Sequence, residues 1–250
     1  MKKTLIYAHR GASKLAPENT MPAYQLASES GADGIEIDVQ LTKDRIPVLI
    51  HDENVRRTTN GTGFVQEYTL DYIKKLDAGS WFSTKFSDCS IVTLEEFLCW
   101  FKFKPMVLNV ELKTNVIEYK EIENIVYEAL AKHRMLNRTV ISSFNLNSIT
   151  RMHEINPNVQ TAFLTSTKRQ NLAKFAKENG STSLHVKYRL LDKKLLKNCR
   201  RNDMSLRVYT INRPSYMEKC FNLGCDGIFT DVPHEAVEYR KKFQKVSEQL

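Results

Sequence analysis

The stretch GADGIEIDVQLTKDRIPVLIHD (residues 31–52) decides the fold. GIEIDV (34–39) reads as a strand, and Glu36 and Asp38, two residues apart, point to one face of it. Lys43-Asp44-Arg45 reads as a turn. PVLI (47–50) then forms a second arm of the same strand unit and ends in His51-Asp52. Acids and histidines are costly at the ends of buried strands, so their concentration here asks for a chemical reason.

Outward from this unit the pattern alternates. Short apolar or β-branched runs occur at 4–8, 34–39, 47–50, 106–112, 139–143, 159–164, 182–186, 206–210 and 227–230. Between them, helical periodicity marks about 19–30, 93–103, 118–134, 145–155, 168–179, 191–202, 213–223 and 233–248. Thr93-Leu-Glu-Glu and Asn145 read as helix N-caps, and Pro233 suits a first helical turn. Alternating βα units with apolar strands imply a parallel sheet covered by helices. About eight such units in 250 residues predict an α/β fold, the (β/α)8 TIM barrel. The rival, an open doubly wound sheet, calls for a glycine-rich loop after the first strand, and HRGAS lacks the GxGxxG pattern. Residues 53–92 break the rhythm and read as a small insertion after the second strand unit, within a single catalytic barrel domain spanning 1–250.

Hydrophobic residues make up 42% of the chain, enough for a substantial core. The apolar run in MKKTLIYAHRGAS is too short for a signal-peptide core, and no stretch is long enough to span a bilayer. Five cysteines, an odd number without a CxxC pair, argue against a disulfide framework or a zinc site and for reduced thiols in the cytoplasm. The net charge of +8 suits anionic partners. The basic residues, however, are spread through segments such as 187–201 and 240–245. Both read as solvated helix faces, and no nucleic-acid motif accompanies them.

In a (β/α)8 barrel the working residues cluster at the C-terminal ends of the strands. TLIYA runs into His9-Arg10, GIEIDV carries Glu36 and Asp38, PVLI runs into His51-Asp52, and MVLNV runs into Glu111 and Lys113. Three facing carboxylates repel one another, and a divalent cation resolves that repulsion. All-oxygen ligands point to a hard ion, Mg²⁺ or Ca²⁺. Arg10 and Lys113 suit a phosphate group, and a histidine pair supplies a general base and a general acid. Phosphoryl-ester cleavage uses all of these parts.

The segments AHRGASKLAPENTMPAY (8–24), GADGIEIDVQLTKDRIPVLIHD (31–52), RTTNGTG (57–63), VELK (110–113) and GCDGIFTDVP (224–233) resemble the glycerophosphodiester phosphodiesterase family. The resemblance implies a metal-dependent hydrolase that cleaves glycerophosphodiesters to glycerol 3-phosphate and an alcohol, in glycerol and lipid metabolism. It implies Glu36, Asp38 and Glu111 as metal ligands and His9 and His51 as catalytic histidines. Arg10 and Lys113 then contact phosphate, and Glu18 and Asn19 line the site; Pro17-Glu18-Asn19 also suits a helix N-cap. Phe144 and Tyr209 are candidate walls for glycerol or the headgroup. Two departures stand out. Tyr209 replaces the tryptophan of the family's WTxN segment, and Arg45 stands where glycine is usual. The expected partner is a small glycerophosphodiester, with no nucleic acid and no stable membrane insertion. Two other readings share the scaffold. A phospholipase-like barrel needs an apolar rim, for which Trp81-Phe82 and Trp100-Phe101 are candidates, though they also suit packing of the insertion and a helix. A catalytically dead binding protein needs a lost ligand or histidine, and none is lost.

Overall fold

The computed structural model describes residues 3–244. Its strands are β1 Leu5–His9, β2 Gly34–Leu41, β3 Pro47–Leu49, β4 Val107–Leu112, β5 Thr139–Ser143, β6 Gln160–Thr165, β7 Ser183–Lys187, β8 Ser205–Tyr209 and β9 Gly227–Thr230. All of them except β3 pair in parallel, and β1 pairs with both β2 and β9. The sheet therefore closes into an eight-stranded (β/α)8 barrel, which excludes the open sheet. β3 is the second arm expected from PVLI, antiparallel to β2 with Val39 opposite Leu49.

The helices are α1 Met21–Glu29, α2 Leu70–Ile73, α3 Leu94–Phe101, α4 Ile122–Lys132, α5 Leu146–Ile155, α6 Leu172–Glu178, α7 Lys193–Arg201, α8 Pro214–Leu223 and α9 Pro233–Gln244. Local chemistry sets several of their ends. Thr93 Oγ1 accepts from the Glu96 N–H at 3.1 Å while the Glu96 carboxylate accepts from the Thr93 N–H at 2.8 Å, a reciprocal cap for α3. The face so started buries Leu94, Phe97, Leu98 and Phe101 against β2 and β4. Asn145 caps α5 by accepting from the Asn147 N–H. The α9 expectation over 245–248 lies outside the described residues.

Two expectations are corrected. The first helix starts at Met21 rather than 19, with Thr20 as its N-cap residue. Asn19 is therefore no cap; it is left-handed (φ 55°) and its side chain turns inward. The segment 240–245 is not wholly a solvated face. Arg240 is buried, paired with Asp33 and donating to the Thr4 carbonyl at 2.8 Å, so it fastens α9 to β1. Position 245 lies outside the described residues. Trp100, by contrast, packs as the helix-packing reading expects, with Tyr24, Phe97 and Phe101 between α1 and α3. Trp81 is 41% exposed and donates to the Ala78 carbonyl.

Arg45 has φ 63°, the left-handed region where glycine is at ease. A side chain there costs roughly 1–2 kcal/mol. The guanidinium bonds Glu121 at 3.0 Å and the Lys120 carbonyl at 3.2 Å, so the hairpin keeps its shape. Residues 53–92 form short helical turns around a small core of their own, in which Val55, Val65, Ile73 and Leu76 pack on Val48 and Ile50 of the β3 arm.

Candidate active site

Parallel register brings the chemistry together. His9 on β1 pairs with Glu36 on β2, and Glu36 pairs with Asn109 on β4. One step further along, Asp38 pairs with Glu111. Glu36, Asp38 and Glu111 are all buried, and each offers an oxygen within 4.8 Å of the others. No other triplet of this kind among the described residues is buried throughout.

The HRG turn is built for this site. Arg10 is left-handed (φ 58°), which aims its N–H at the Glu36 carboxylate at 2.9 Å. Gly11 follows at φ 85°, and a Cβ there would sit 2.7 Å from the Ala23 backbone, so only glycine lets the turn lie on α1. The Arg10 guanidinium lies between Asp38 (3.1 Å) and Glu18 (2.9 Å). Lys113 lies 2.8 Å from Glu111 and 3.8 Å from Asp38.

Burial, then the neighbouring charges of Asp38 and Glu111, push the Glu36 carboxyl well above the usual carboxylate range. Burial acts the same way on Asp38, but the charges of Arg10 and Lys113 overcome it and hold Asp38 well below that range. Three acids thus face two cations, one of which Glu18 also shares. Glu36 Oε1 and Asp38 Oδ1 are buried without a hydrogen-bond partner among the described residues. Orphaned carboxylate oxygens converging in a dry site fit a hard divalent cation.

Each histidine has its own aspartate. The His9 Nδ1–H donates to Asp231 Oδ1 at 2.7 Å, and the His51 Nδ1–H to Asp52 Oδ1 at 2.6 Å. Burial raises the Asp231 carboxyl, but His9, Asn212 and Ser13 bring it down to about 2. The same opposition, with Arg57 and His51 as partners, leaves Asp52 at about 2. Both are acceptors at neutral pH, which leaves each Nε2 as the free ring nitrogen. Gln40 holds the arm that carries His51, donating to the carbonyls of Ile50 and His51 at 3.1 and 3.0 Å.

Among the residues singled out in the sequence, His9, Arg10, Glu36, His51, Glu111, Phe144 and Tyr209 line one cavity of about 330 Å³ at the C-terminal mouth of the barrel. Phe144 and Tyr209 meet edge to face, centroids 6.0 Å apart. Glu18 and Asn19 do not line that cavity. Glu18 accepts two bonds from Arg57 at 2.8 Å besides its contact with Arg10. Asn19 donates to Asp38 Oδ2 at 2.9 Å and accepts from the Tyr24 hydroxyl. They sit behind the site and fix its charged members. Sequence reasoning gave no role to Asp231, Asn109 and His185, and it read Lys187 as part of a solvated helix face, whereas Lys187 ends β7 and lines the cavity. Asp231 and Lys187 stand at a strand's C-terminal end, where the rule that found His9 and Glu111 reaches them, whereas Asn109 and His185 lie inside β4 and β7.

A barrel whose mouth gathers three acids, two aspartate-anchored histidines and two cations defines a hydrolase of phosphate esters. Comparison with known proteins agrees. The model of the glycerophosphoryl diester phosphodiesterase family matches residues 9–235. A glycerophosphodiester phosphodiesterase of Caldanaerobacter subterraneus subsp. tengcongensis is 40% identical over 96% of this chain and 99% of its own. Another from Bacillus altitudinis is 35% identical over 96% and 100%. An Oleispira antarctica phosphodiesterase, solved in complex with the product sn-glycerol-3-phosphate, superposes with a TM-score of 0.87 at 30% identity, covering 95% of this chain and 96% of that one. The chain belongs to the glycerophosphoryl diester phosphodiesterase family, and it is a phosphoric diester hydrolase. No helix among the described residues is long and apolar enough to cross a membrane.

Proposed function

We propose that this protein hydrolyses glycerophosphodiesters to glycerol 3-phosphate and an alcohol, with a divalent cation, Mg²⁺ or Ca²⁺, held by Glu36, Asp38 and Glu111. The observation that carries this reading is the buried, under-neutralised triplet of carboxylates beside two anchored histidines. The product bound by the Oleispira relative supports the choice of glycerol 3-phosphate. When bound, the cation supplies Lewis-acid stabilisation of charge on the phosphoryl oxygens. Five free cysteines suit a reducing, cytoplasmic setting.

The chain's own groups divide the remaining work. Arg10 and Lys113, the cations against the carboxylates, bind phosphate oxygens. His9 Nε2 removes the proton from the glycerol hydroxyl next to the phosphorylated carbon, and that oxygen attacks phosphorus. The bond from phosphorus to the leaving alcohol breaks, and His51 protonates the alcohol. A cyclic glycerol phosphate results. His51, now neutral, takes a proton from water, whose oxygen attacks phosphorus, and His9 returns its proton to the ring-opened glycerol oxygen. Phe144 and Tyr209 wall the glycerol.

A panel of purified glycerophosphodiesters, assayed for glycerol 3-phosphate release with each metal and with chelator, tests the reading. Release from none of them overturns it. A substrate without the hydroxyl next to the phosphorylated carbon tests the cyclic route, and hydrolysis at an undiminished rate removes that route.

Two further results are expected. Asp231→Asn should lower turnover with little change in KM, because the amide no longer fixes the His9 tautomer. Partners that orient functional histidines at metal sites carry about 10–100-fold, and the same range is expected here. Asp231 also shapes acid stability. Its folded-state pKa of about 2 lies below its unfolded value, so its contribution is complete above the unfolded pKa and is lost as the pH falls through about 2. The variant should lack that part of the acid limb in denaturation followed by circular dichroism. For the cations, Lys113→Ala should weaken ground-state and transition-state binding together, and Arg10→Lys should not preserve activity, because the planar fork is lost. Unchanged steady-state kinetics in both variants would place the phosphate elsewhere.

A further inference from the structure

The cavity also holds polar groups that the reaction above does not use. Asn109 stands two residues before Glu111 on β4, and His185 two before Lys187 on β7. Each lies roughly 6 Å further in than that neighbour along its own strand, and Asn109 stands level with Glu36. Both line the cavity.

His185 is wholly buried. Its Nε2 lies 3.2 Å from Arg207 Nη1. A guanidinium only donates, so Nε2 accepts and the ring proton sits on Nδ1. Burial, then the charge of Arg207, lowers the pKa of the ring well below the usual histidine range, so this neutral tautomer persists. Nδ1 has no hydrogen-bond partner among the described residues. Asn109 is 2% exposed, and its Nδ2 donates to Ser142 Oγ at 3.0 Å. That bond fixes the amide with Oδ1 as an acceptor, which is also without a partner. The Tyr209 hydroxyl, higher on the wall, is a third such group.

A buried donor or acceptor left unmet is costly, so this set states what it is built to meet. These two side chains offer one donor and one acceptor. A hydroxyl satisfies both kinds of group. A carboxylate or phosphate cannot donate to Asn109, and an ammonium cannot accept from His185. Leu164 and Phe229 supply apolar wall beside them, suited to a short carbon chain.

We propose that Asn109 Oδ1 and the His185 Nδ1–H form a polyol subsite in the barrel cavity that binds the terminal hydroxyl of the substrate's glycerol unit. This rests on the reading of the protein as a glycerophosphodiester hydrolase and names the determinant of its glycerol specificity. Both side chains are almost wholly buried, so the subsite receives the part that all substrates share, while the variable alcohol departs through the mouth.

Two choline diesters test the subsite. One is sn-glycero-3-phosphocholine; the other carries a methyl group where glycerol has its terminal CH2OH, and both keep the hydroxyl next to the phosphorylated carbon. The wild type should favour the first by about 10–100-fold in kcat/KM, the usual cost of leaving a buried donor or acceptor unmet. His185→Phe should remove most of that preference by slowing the glycerol diester alone. His185→Asn, which carries an amide N–H near the Nδ1 position, should restore part of it. Asn109→Leu, put through the same comparison, reads the other half of the subsite should His185→Phe fail to fold. A wild type without preference overturns the subsite, as does a loss shared equally by both substrates. Absence of turnover of any glycerol diester with Mg²⁺ or Ca²⁺ instead overturns the function, and the subsite falls with it.

Discussion

Alanine in place of His9 or His51 is expected to lower kcat by about 10²–10⁴-fold, the usual worth of a positioned acid or base. The two side chains are 19% and 31% exposed and rest on Asp231 and Asp52, so neither fills a core position whose loss would unfold the barrel. Circular dichroism and melting of both variants should match the wild type. If the histidines act in one concerted transfer, the double variant should lose little more than the worse single one. Two losses that multiply would show that each works in a separate step. A loss below about tenfold in either variant would remove that histidine from the proton chemistry.

Removing the cation, or replacing Glu36, Asp38 or Glu111 by the matching amide, is expected to bring turnover to background, since Lewis-acid stabilisation of the transition state is worth several kcal/mol. Glu36→Gln alone should act oppositely on stability. The Glu36 carboxyl is held well above its ordinary pKa by burial and by its two acidic neighbours, so its charged form opposes folding at neutral pH. Glu36→Gln removes that repulsion and should melt higher than the wild type when both are measured with chelator. Adding Mg²⁺ or Ca²⁺ should raise the wild-type Tm by mass action and move the variant less. A wild-type Tm indifferent to both ions, with activity intact in chelator, would dismiss the metal site. The carboxylates are thus a case of local instability kept for function, with Arg10 and Lys113 offsetting part of it.

Much of this was legible because strand chemistry is local. A period of two places Glu36 with Asp38 and Glu111 with Lys113 on shared faces whatever the rest of the chain does. Polar residues at the ends of apolar runs marked the mouth of the barrel before any strand was paired. The turn at Lys43-Asp44-Arg45 and the caps at Thr93 and Asn145 were read from residue type alone, because their hydrogen bonds span only a few positions.

Tertiary structure decided what depends on partners far apart in the chain. Asp231 reaches His9 across 222 positions because β1 closes the barrel against β9, and periodicity carries no trace of that closure. Asn19 looked like a cap because asparagine before a helix commonly is one, but its amide is spent on buried Asp38. Arg240 looked like a solvated lysine-rich face until Asp33 and the Thr4 carbonyl drew it inward. His185 was a residue within a strand, and only the approach of Arg207 from the next strand fixed its tautomer. The sequence by itself determined which side chains stand at the barrel mouth, because that follows from the strand repeat. Which of them meet, and in what charge state, was settled by strand order and burial, because both arise only when distant segments share one dry interior.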